Sequence, residues 1–339
     1  MGCEFGSKSG TSHRNSNGII NLAVGPLHVT VCPVMKNVAV LLLAGGEGVR
    51  FQPISTPEKP KQFLNLTHTE QSMLQQTWER ALRLADPQNI WIATNQKYVS
   101  LVQKQIPEVV KNQVIGETQK KNTAPAIALI TWILANKNPD TILVVLPSDH
   151  FIDEPDLFER TVRKALDAAQ EHGGILTLGI PPREASTQYG YIKCGKAVIE
   201  GEDLCQVQCF TEKPVRHRAE KFISEGGYYW NSGMFIFSVQ KMKEEITRHV
   251  PVIAELLGEL KKDSPSLSFV EKFFEEAPSI SIDYAVMENT ERAMVIPAPF
   301  FWSDVGSWEG LLDLTKKRSL VLPPNIKEAI DHFSEEKTS

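Results

Sequence analysis

The chain has 339 residues, of which 42% are hydrophobic and 23% charged, and its formal net charge is −5. This composition is typical of a soluble enzyme with one large core or two smaller ones, and it excludes a disordered or fibrous protein. The sequence has no block of Lys or Arg and no apolar stretch long enough to span a bilayer, so we expect no nucleic-acid partner and no membrane partner.

The N-terminal segment and the cysteines together predict a cytoplasmic protein. Residues 1–34 lack the basic start and apolar core of a secretory signal, and we interpret them as an N-terminal extension, flexible or non-native. The five cysteines are odd in number and include no Cys-x-x-Cys pair. We therefore expect reduced thiols, with Cys205 and Cys209 as buried thiols in a strand region rather than metal ligands.

The first predicted strand, Val38–Leu43, is a leucine and β-branched run that is typical of a strand buried on both faces. Glycines follow it at three positions: Gly45, Gly46 and Gly48. Their backbone N–H groups can approach phosphate oxygens, and Arg50 and Lys61 add cations for a departing pyrophosphate. The segment predicts a nucleoside triphosphate cradle, and the alternative is a plain strand-to-loop turn.

Alternating helices and strands follow the glycine-rich turn. In chain order, the predicted elements are a helix at 72–84, a strand at 89–94, a helix at 98–104, a strand at 113–115, a helix at 122–136, a strand at 141–146, a helix at 157–171 and a strand at 175–179. The helix at 122–136 has Thr123 as its predicted cap and Pro125 in its first turn. The alternation predicts a doubly wound, mostly parallel α/β sheet of the Rossmann-like kind, with residues 35–180 as the nucleotide half.

The pattern changes from Tyr189 onward, and we expect residues 181–300 to form the sugar-phosphate half of one catalytic domain at 35–300. The predicted elements there are strands at 207–211, 233–239 and 294–297 and helices at 219–224, 241–260 and 269–275. Residues 301–339 are predicted to be a small C-terminal segment with one metal carboxylate, followed by a polar tail after Lys316.

Two aspartates are candidate metal ligands. Asp149 follows the strand that ends at Leu146, at the sheet edge where α/β proteins bind ligands, and Asp304 lies between aromatic residues and a glycine. Magnesium takes one or two protein carboxylates together with phosphate oxygens, which suits such a pair. The alternatives are a turn-capping Asp149 and an Asp304 on the surface of a tight turn.

Three polar residues are candidates for a sugar phosphate. Lys213 ends a predicted strand and can bind a phosphate, Glu212 can accept from sugar hydroxyls, and the Asn231 amide can donate and accept at vicinal hydroxyls. The alternatives are an exposed ion pair and a satisfied core amide. His150 is interpreted as a loop histidine rather than a base, since no Ser or Cys arrangement calls for one.

Eight motifs together resemble the bacterial-type mannose-1-phosphate guanylyltransferases. They are Leu43-Ala-Gly-Gly-Glu-Gly-Val-Arg, Pro60-Lys-Gln-Phe, Asn122-Thr-Ala-Pro-Ala, Pro147-Ser-Asp-His, Tyr189-Gly-Tyr-Ile, Phe210-Thr-Glu-Lys-Pro, Asn231-Ser-Gly-Met and Trp302-Ser-Asp-Val-Gly-Ser-Trp. The sequence departs from the family pattern at Val49, Gln52, Lys121 and Gln188, and Gln188 bears on sugar selectivity.

The resemblance implies a nucleotide-diphospho-sugar transferase fold and the conversion of GTP and α-D-mannose 1-phosphate to GDP-mannose and diphosphate. It further implies Mg²⁺ on Asp149 and Asp304, a possible homodimer, and no cupin isomerase domain in this chain. The nucleotide-binding residues that it implies are Leu43, Ala44, Gly45, Gly46, Gly48, Arg50, Lys61, Asn122, Thr123, Ala124, Pro125 and Asp149. The sugar-phosphate residues that it implies are Tyr189, Gly190, Glu212, Lys213 and Asn231.

The expected mechanism is in-line attack of the sugar-phosphate oxygen on the α-phosphorus, because such transfer needs alignment and charge neutralisation more than a protein nucleophile. The catalytic candidates are Arg50, Lys61, Asp149 and Lys213. Competing hypotheses are a nucleotidyltransferase for another hexose 1-phosphate and a non-catalytic sugar-nucleotide sensor. A nicotinamide oxidoreductase is disfavoured, because Phe51 stands where its fingerprint needs a third glycine.

Overall fold

The computed structural model describes residues 37–67, 70–260 and 265–336. The predicted N-terminal extension, residues 1–34, lies outside the described residues. The strands are β1 Val38–Ala44, β2 Ile90–Asn95, β3 Val114–Glu117, β4 Ile142–Pro147, β5 Phe151–Ile152, β6 Ile175–Ile180, β7 Tyr191–Ala197, β8 Cys205–Thr211, β9 Tyr228–Ser238, β10 Ala293–Pro297 and β11 Trp302–Ser303.

Helices connect most of these strands. They are α1 Met73–Leu82, α2 Val99–Gln105, α3 Thr123–Lys137, α4 Pro155–His172, α5 Arg216–Glu225, α6 Val239–His249, α7 Pro251–Gly258, α8 Leu267–Glu276, α9 Trp308–Arg318 and α10 Pro324–Glu336. A π-helical turn spans Asp283–Met287. Within the part of the chain that the structure describes, no helix has both the length and the apolar character that crossing a membrane requires.

Nine strands form one sheet in the order β3-β2-β1-β4-β9-β6-β10-β8-β7, and β5 pairs with β11 in a second, two-stranded sheet. The parallel pairs are β1 with β2, β1 with β4, β2 with β3, and β6 with β10. Strand β9 runs antiparallel between β4 and β6, and β8 runs antiparallel to β10. The predicted α/β fold is therefore confirmed with a mixed sheet, although only four of the nine described strand pairings in the large sheet are parallel.

Both faces of the sheet are covered by apolar side chains. Along β1, Val38, Val40 and Leu42 belong to one buried cluster, whereas Ala39 and Leu41 belong to another. This alternation follows from the two-residue period of a strand. It explains why β1 reads as a continuous apolar run, since neither of its faces meets water.

The antiparallel insertion of β9 matters for the site. Asn231 in β9 pairs with Gly179 in β6, while Phe235 pairs with Val145 in β4. The first half of β9 therefore lies beside the carboxyl ends of β4 and β6. A residue from the predicted sugar-phosphate half thus reaches the edge where parallel strands present their ligand-binding loops.

Several predicted boundaries are corrected by the structure. The cap of α3 is Asn122, whose side-chain oxygen accepts from the Thr123 N–H at 3.0 Å, and not Thr123 itself. The single helix predicted at 241–260 is divided into α6 and α7 at Val250, because Pro251 cannot continue the backbone hydrogen bonding of α6. Strand β7 was not predicted.

The polar tail predicted after Lys316 is wrong for the described residues. Helices α9 and α10 occupy that part of the chain, and Ile326 and Ile330 are buried in a third apolar cluster together with Phe51 and Trp308. The two isoleucines are four residues apart and lie on one helix face. The C-terminal segment is therefore packed against the turn that follows β1.

The prediction of buried, reduced thiols is also wrong. Cys194 in β7 and Cys205 in β8 form a disulfide, and Cys209 is an exposed free thiol. The two strands pair as neighbours, with Cys194 opposite Val207 and Ala197 opposite Cys205. The disulfide requires β7 and β8 to pair as a hairpin. Because β7 was not predicted, no sequence pattern placed Cys194 next to Cys205.

Candidate active site

A cavity of about 510 Å³ opens at the carboxyl ends of β1 and β4, and residues from both predicted halves line it. It collects most of the predicted site residues: Leu43, Ala44, Gly45, Gly46, Asn122, Thr123, Asp149, Tyr189, Gly190, Glu212, Lys213, Asn231 and Asp304. The first and the last of these residues, Leu43 and Asp304, are more than 250 positions apart in the sequence. The fold brings them to one edge of the sheet.

The glycine-rich turn is held in shape by the Pro60–Phe63 segment. The Gln62 amide donates to the Ala44 carbonyl at 2.8 Å and to the Gly46 carbonyl at 2.7 Å. Gly48 has a φ of +51°, and a Cβ at this position would lie 2.4 Å from the Lys61 backbone nitrogen. Only glycine fits there, so a steric clash explains why the predicted phosphate cradle has glycine at position 48. The sequence motif contains Gln62, but we did not predict its clamping role.

Five predicted nucleotide-binding residues, including Lys61, are not part of the cavity lining. Ala124 and Pro125 are buried in the first turn of α3, and Gly48 packs against Lys61. Arg50 is exposed, and its side chain makes no hydrogen bond or ion pair within the described parts of the chain. A role for Arg50 in holding pyrophosphate stays a prediction.

Lys61 links the two predicted metal ligands. It is 6% exposed, and its Nζ donates to Asp149 Oδ2 at 3.0 Å and to the backbone carbonyl of Asp304. Burial alone would raise the pKa of the Asp149 carboxyl, but the charges of Lys61 and His150 and the hydrogen bond from Lys61 outweigh it and hold that pKa below its usual value. Asp149 is therefore ionised at neutral pH.

His150 is more than a loop histidine. Its Nδ1 accepts from the Trp302 indole N–H at 3.2 Å, and its Nε2 lies 3.7 Å from Asp149 Oδ1. Burial lowers the pKa of its imidazole, which favours the neutral ring with the proton on Nε2, facing Asp149. The ring thus lies beside Asp149 without a hydrogen bond to it, at a position that depends on the pairing of β5 with β11.

Asp304 is held by Tyr189, a residue of the predicted sugar-phosphate half. The Tyr189 hydroxyl donates to Asp304 Oδ1 at 2.8 Å, and burial together with the Asp304 charge raises the pKa of Tyr189, so the hydroxyl remains a donor. Lys61 donates to only one oxygen of the Asp149 carboxylate, Oδ2, and Tyr189 to only one oxygen of the Asp304 carboxylate, Oδ1. In the same residues no group of three or more His, Cys, Asp or Glu could enclose a metal. This donor set suits an ion that takes most of its ligands from phosphate and water.

The predicted sugar-phosphate residues Tyr189, Gly190, Glu212, Lys213 and Asn231 form one part of the cavity lining, which we call the sugar side. A Cβ on Gly190 would lie 2.4 Å from Glu212 Oε2, so glycine lets this carboxylate enter the cavity. Glu212 Oε1 lies 3.2 Å from Lys213 Nζ, and the Lys213 side chain is 61% exposed. The Lys213 ammonium therefore faces solvent at the cavity mouth, where a phosphate can reach it.

The Asn231 amide is less free than the sequence predicts. Its Oδ1 accepts from the Gly233 N–H at 3.1 Å and from the Thr177 hydroxyl at 3.2 Å, and its Nδ2 donates to Asp283 Oδ1 at 2.7 Å. Both acceptor positions of Asn231 Oδ1 are thus used by hydrogen bonds within the protein. One N–H of the amide is left for a sugar hydroxyl, so Asn231 is a donor there rather than both donor and acceptor.

The comparisons with known proteins agree with this geometry. Residues 39–319 match the family of proteins described as nucleotidyl transferases. This chain belongs to the nucleotidyl transferase family. The match covers the glycine-rich turn, both aspartates and the sugar side, so the family assignment includes the whole cavity.

Individual relatives of this nucleotidyl transferase carry more specific names. The chain is 39% identical over 288 residues to the xanthan biosynthesis protein XanB of Xanthomonas campestris pv. campestris, with 84% of this chain and 60% of that protein covered. It is 38% identical over 289 residues to a mannose-1-phosphate guanylyltransferase of Escherichia coli, with 82% of this chain and 62% of that protein covered. The chain therefore spans about three fifths of the length of these relatives.

A solved structure from Thermus thermophilus, described as a mannose-1-phosphate geranyltransferase, matches this nucleotidyl transferase with a TM-score of 0.72 and 33% identity. The match covers 80% of this chain and 77% of that one. The predicted fold type and family resemblance are confirmed by these matches.

Two acidic residues of the cavity were missed by the sequence reasoning. Glu117 ends β3 and is 8% exposed, and burial raises the pKa of its carboxyl to about 7. Its Oε1 would lie 3.1 Å from a Cβ on Gly45, so it borders the glycine-rich turn. Asp283 begins the π-helical turn, and burial followed by the charge of Glu212 raises its pKa to about 6. Because carboxyl groups with perturbed pKa values cluster in functional cavities, Glu117 and Asp283 are further candidate site residues.

Proposed function

We propose that this chain is a guanylyltransferase that converts GTP and α-D-mannose 1-phosphate to GDP-mannose and diphosphate. The observation that carries the proposal is the shared cavity. Its lining contains Asp149 and Asp304, both bonded to Lys61, together with Glu212, Lys213 and Asn231. Lys61 and the two aspartates offer a cation and carboxylates for a nucleoside triphosphate, and the other three residues offer a cation and hydrogen-bonding groups for a sugar phosphate. The names of the relatives support the choice of substrates.

In the proposed reaction an oxygen of the sugar phosphate attacks the α-phosphorus of GTP. The new bond joins that oxygen to the α-phosphorus, while the bond from the α-phosphorus to the bridging oxygen of the β-phosphate breaks and its electrons leave with diphosphate. Lys213 orients the attacking phosphate, and Lys61 and Arg50 balance the charge of the departing group. No protein nucleophile or external oxidant is required.

Asp149 and Asp304 would hold a divalent cation, which we propose is Mg²⁺, and the ion would neutralise charge on the phosphate oxygens. Lys61 prepares this position, because it fixes Asp149 Oδ2 and the Asp304 backbone at once. Tyr189 then holds the Asp304 carboxylate from the opposite side.

Selection of guanine is proposed to rest on Glu117. Guanine presents an N1–H and an exocyclic amino group on one edge, and a carboxylate accepts from both, whereas adenine presents an acceptor at N1. The base would lie beside the Gly45 turn, against which Glu117 is packed. Lys120 and Asn122 line the same part of the cavity.

A second candidate, transfer to another hexose 1-phosphate, is favoured by one observation. Gln188 lines the cavity next to Tyr189 and Gly190, at a position where many relatives that the sequence resembles have glycine. A larger polar side chain there changes the space offered to the sugar. The mechanism would be the same, and the sugar would differ.

The testing experiment is a measurement of diphosphate release. Each nucleoside triphosphate is paired with mannose, glucose and related hexose 1-phosphates, with magnesium and then with a chelator. Release that is confined to GTP with mannose 1-phosphate and lost on chelation is expected. Another preferred sugar would support the second candidate, and no release from folded protein with any pair would reject catalysis in favour of a sugar-nucleotide sensor.

We further propose a cytoplasmic location, where nucleoside triphosphates are supplied, and a homodimer. The Cys194–Cys205 disulfide is a bond type that forms mainly in oxidising compartments. Thiol titration of protein trapped by alkylation during cell lysis tests the location. A reduced pair would support the cytoplasm, and an intact Cys194–Cys205 disulfide, as in the structure, would favour an oxidising compartment. Light scattering at several protein concentrations tests the dimer.

A further inference from the structure

The segment 280–288 bridges the two sides of the cavity. On the nucleotide side, the Ala124 N–H donates to the Ile280 carbonyl at 3.1 Å. The Ile282 N–H donates to Thr123 Oγ1 at 2.9 Å. The segment is thus fastened to the start of α3, whose residues were expected to contact the nucleotide directly.

On the sugar side, the same segment holds two predicted sugar-binding residues. Asp283 Oδ1 accepts from Asn231 Nδ2 at 2.7 Å, and Glu288 Oε1 accepts from the backbone N–H of Glu212 at 3.2 Å. Asp283 and Glu288 stand at the two ends of the π-helical turn, and the Glu288 N–H donates to the Asp283 carbonyl at 2.9 Å. Single π-helical turns occur frequently at functional sites.

Three contacts hold the Asn231 amide, and Asp283 supplies the acceptor for its nitrogen. The Gly233 N–H can only donate, so the amide atom that it meets must be the oxygen. The amide nitrogen must then face Asp283. An Asn231 side chain without this acceptor would lose one of the groups that hold its remaining N–H toward the cavity.

We propose that Asp283 is a positioning residue, which orients the Asn231 amide and thereby sets the discrimination among hexose 1-phosphates. Glu288, at the other end of the π-helical turn, supports Asp283 because its side chain accepts a hydrogen bond from the backbone N–H of Glu212. The inference rests on the proposed function, because Asn231 is a sugar contact only if this cavity takes a sugar phosphate. It adds a residue outside the eight motifs that carry the family resemblance.

The test compares Asp283→Ala and Asp283→Asn with the matched control Tyr284→Ala. Tyr284 lies in the same π-helical turn, and 51% of the residue is exposed. For each variant, kcat/KM is measured for mannose 1-phosphate and glucose 1-phosphate, KM is measured for GTP, and thermal unfolding shows whether the variant is folded.

For Asp283→Ala we expect kcat/KM for mannose 1-phosphate to fall by at least about tenfold, as loss of a hydrogen bond to a charged group predicts. The fall for glucose 1-phosphate should be smaller, so the ratio of the two values shrinks, while KM for GTP changes by less than about twofold. Asp283→Asn keeps an oxygen that can accept from Asn231, and should recover at least half of the loss on a logarithmic scale. Tyr284→Ala should leave the ratio at its original value.

An equal fall for both sugars with an unchanged ratio would overturn the proposal, since it would indicate a merely structural role. An Asp283→Asn variant as impaired as Asp283→Ala would overturn it too, because charge rather than orientation would then be required. If the protein prefers another hexose 1-phosphate, that sugar replaces mannose 1-phosphate in the ratio. If no pair is turned over, calorimetric binding of GDP-mannose replaces kinetics, and equal affinities of the Asp283→Ala variant and the original protein would reject the proposal.

Discussion

The proposed phosphate side of the site contains Lys61, Asp149 and Asp304, and the proposed sugar side contains Lys213 and Glu212. The two sides differ in how firmly their cations are held. The Lys61 side chain is 7% exposed and bonds both to Asp149 and to the Asp304 backbone. The Lys213 side chain is 61% exposed and has Glu212 beside it. A buried, multiply bonded cation is already in place before a ligand arrives, whereas an exposed one loses mobility when it binds. The cation of the phosphate side is therefore preorganised to a greater degree than the cation of the sugar side.

The largest expected effect comes from removing the carboxylate at the centre of the phosphate side. Asp149→Ala should lower kcat by about 10³-fold or more, since several kcal/mol of charge stabilisation would be lost. Diphosphate release gives the rate, and circular dichroism shows whether the fold is kept. The control is Asp140→Ala, an exposed aspartate just before β4, at the opposite edge of the sheet. Turnover retained by Asp149→Ala would remove Asp149 from the proposed metal site.

The contrast between the two cations is itself testable. Lys61→Met should lower kcat by about 10²-fold and reduce the free energy of unfolding by about 2 kcal/mol, because Asp149 loses its partner in a partly buried site. Lys213→Met should raise KM for the sugar phosphate about 10- to 100-fold and change the unfolding free energy by less than about 1 kcal/mol.

Steady-state kinetics and urea titration of both variants separate these outcomes. A stability loss from Lys213→Met as large as that from Lys61→Met would contradict the difference between the two sides. So would an effect of Lys61→Met on the KM of the sugar phosphate alone.

A smaller effect is expected at Glu117. Glu117→Gln should raise KM for GTP about tenfold, because an amide cannot accept from both donors of guanine, and it should narrow the preference for GTP over ATP. Since burial raises the pKa of Glu117 to about 7, about half of the carboxyl groups are ionised at that pH and the carboxylate predominates above it. For the original protein, kcat/KM for GTP should therefore rise with pH through about 7, and for the variant this rise should be absent.

The same residue gives a stability prediction of definite sign. The folded-state pKa of Glu117, about 7, lies above the usual 4.5, so the folded protein binds the proton more tightly than the unfolded chain. The original protein should accordingly lose stability relative to Glu117→Gln as pH rises from about 4.5 to about 7. Thermal unfolding of both proteins across that interval measures the difference, and parallel curves would show that Glu117 has an ordinary pKa.

Some parts of both sides of the site could be predicted from the sequence, and others could not. Strands β1 and β4, the glycine-rich turn and the aspartate that follows β4 were predictable, because each depends on a local pattern. Glu117 was not, because its approach to Gly45 requires the sheet order β3-β2-β1. Gln62, His150 and Asp283 likewise act through partners that are distant in sequence.

The C-terminal helices show a different cause of error. Residues 316–318 are all basic, which favours a solvent-exposed tail, yet Ile326 and Ile330 have the i, i+4 spacing of an apolar helix face. The basic residues end α9, whereas the two isoleucines lie in the following helix, α10, so the charge of one helix was wrongly extended to the next. The isoleucine spacing was present in the sequence and could have been used.

The smallest effect on activity is expected at the disulfide of the sugar side. Cys194 lies in β7 beyond Tyr191, which pairs with Trp230, so the bond closes the part of the β7–β8 hairpin that points away from Gly190. It links residues separated by 11 positions. Cys194→Ser should therefore lower the free energy of unfolding by about 2–3 kcal/mol under oxidising conditions and change KM for the sugar phosphate by less than about threefold. Cys209→Ser, which replaces an exposed thiol on the same strand as Cys205, is the matched control and should alter neither quantity. If instead Cys194→Ser raised KM about tenfold, the hairpin would be part of what shapes the sugar side, and that side would be preorganised to the same degree as the phosphate side.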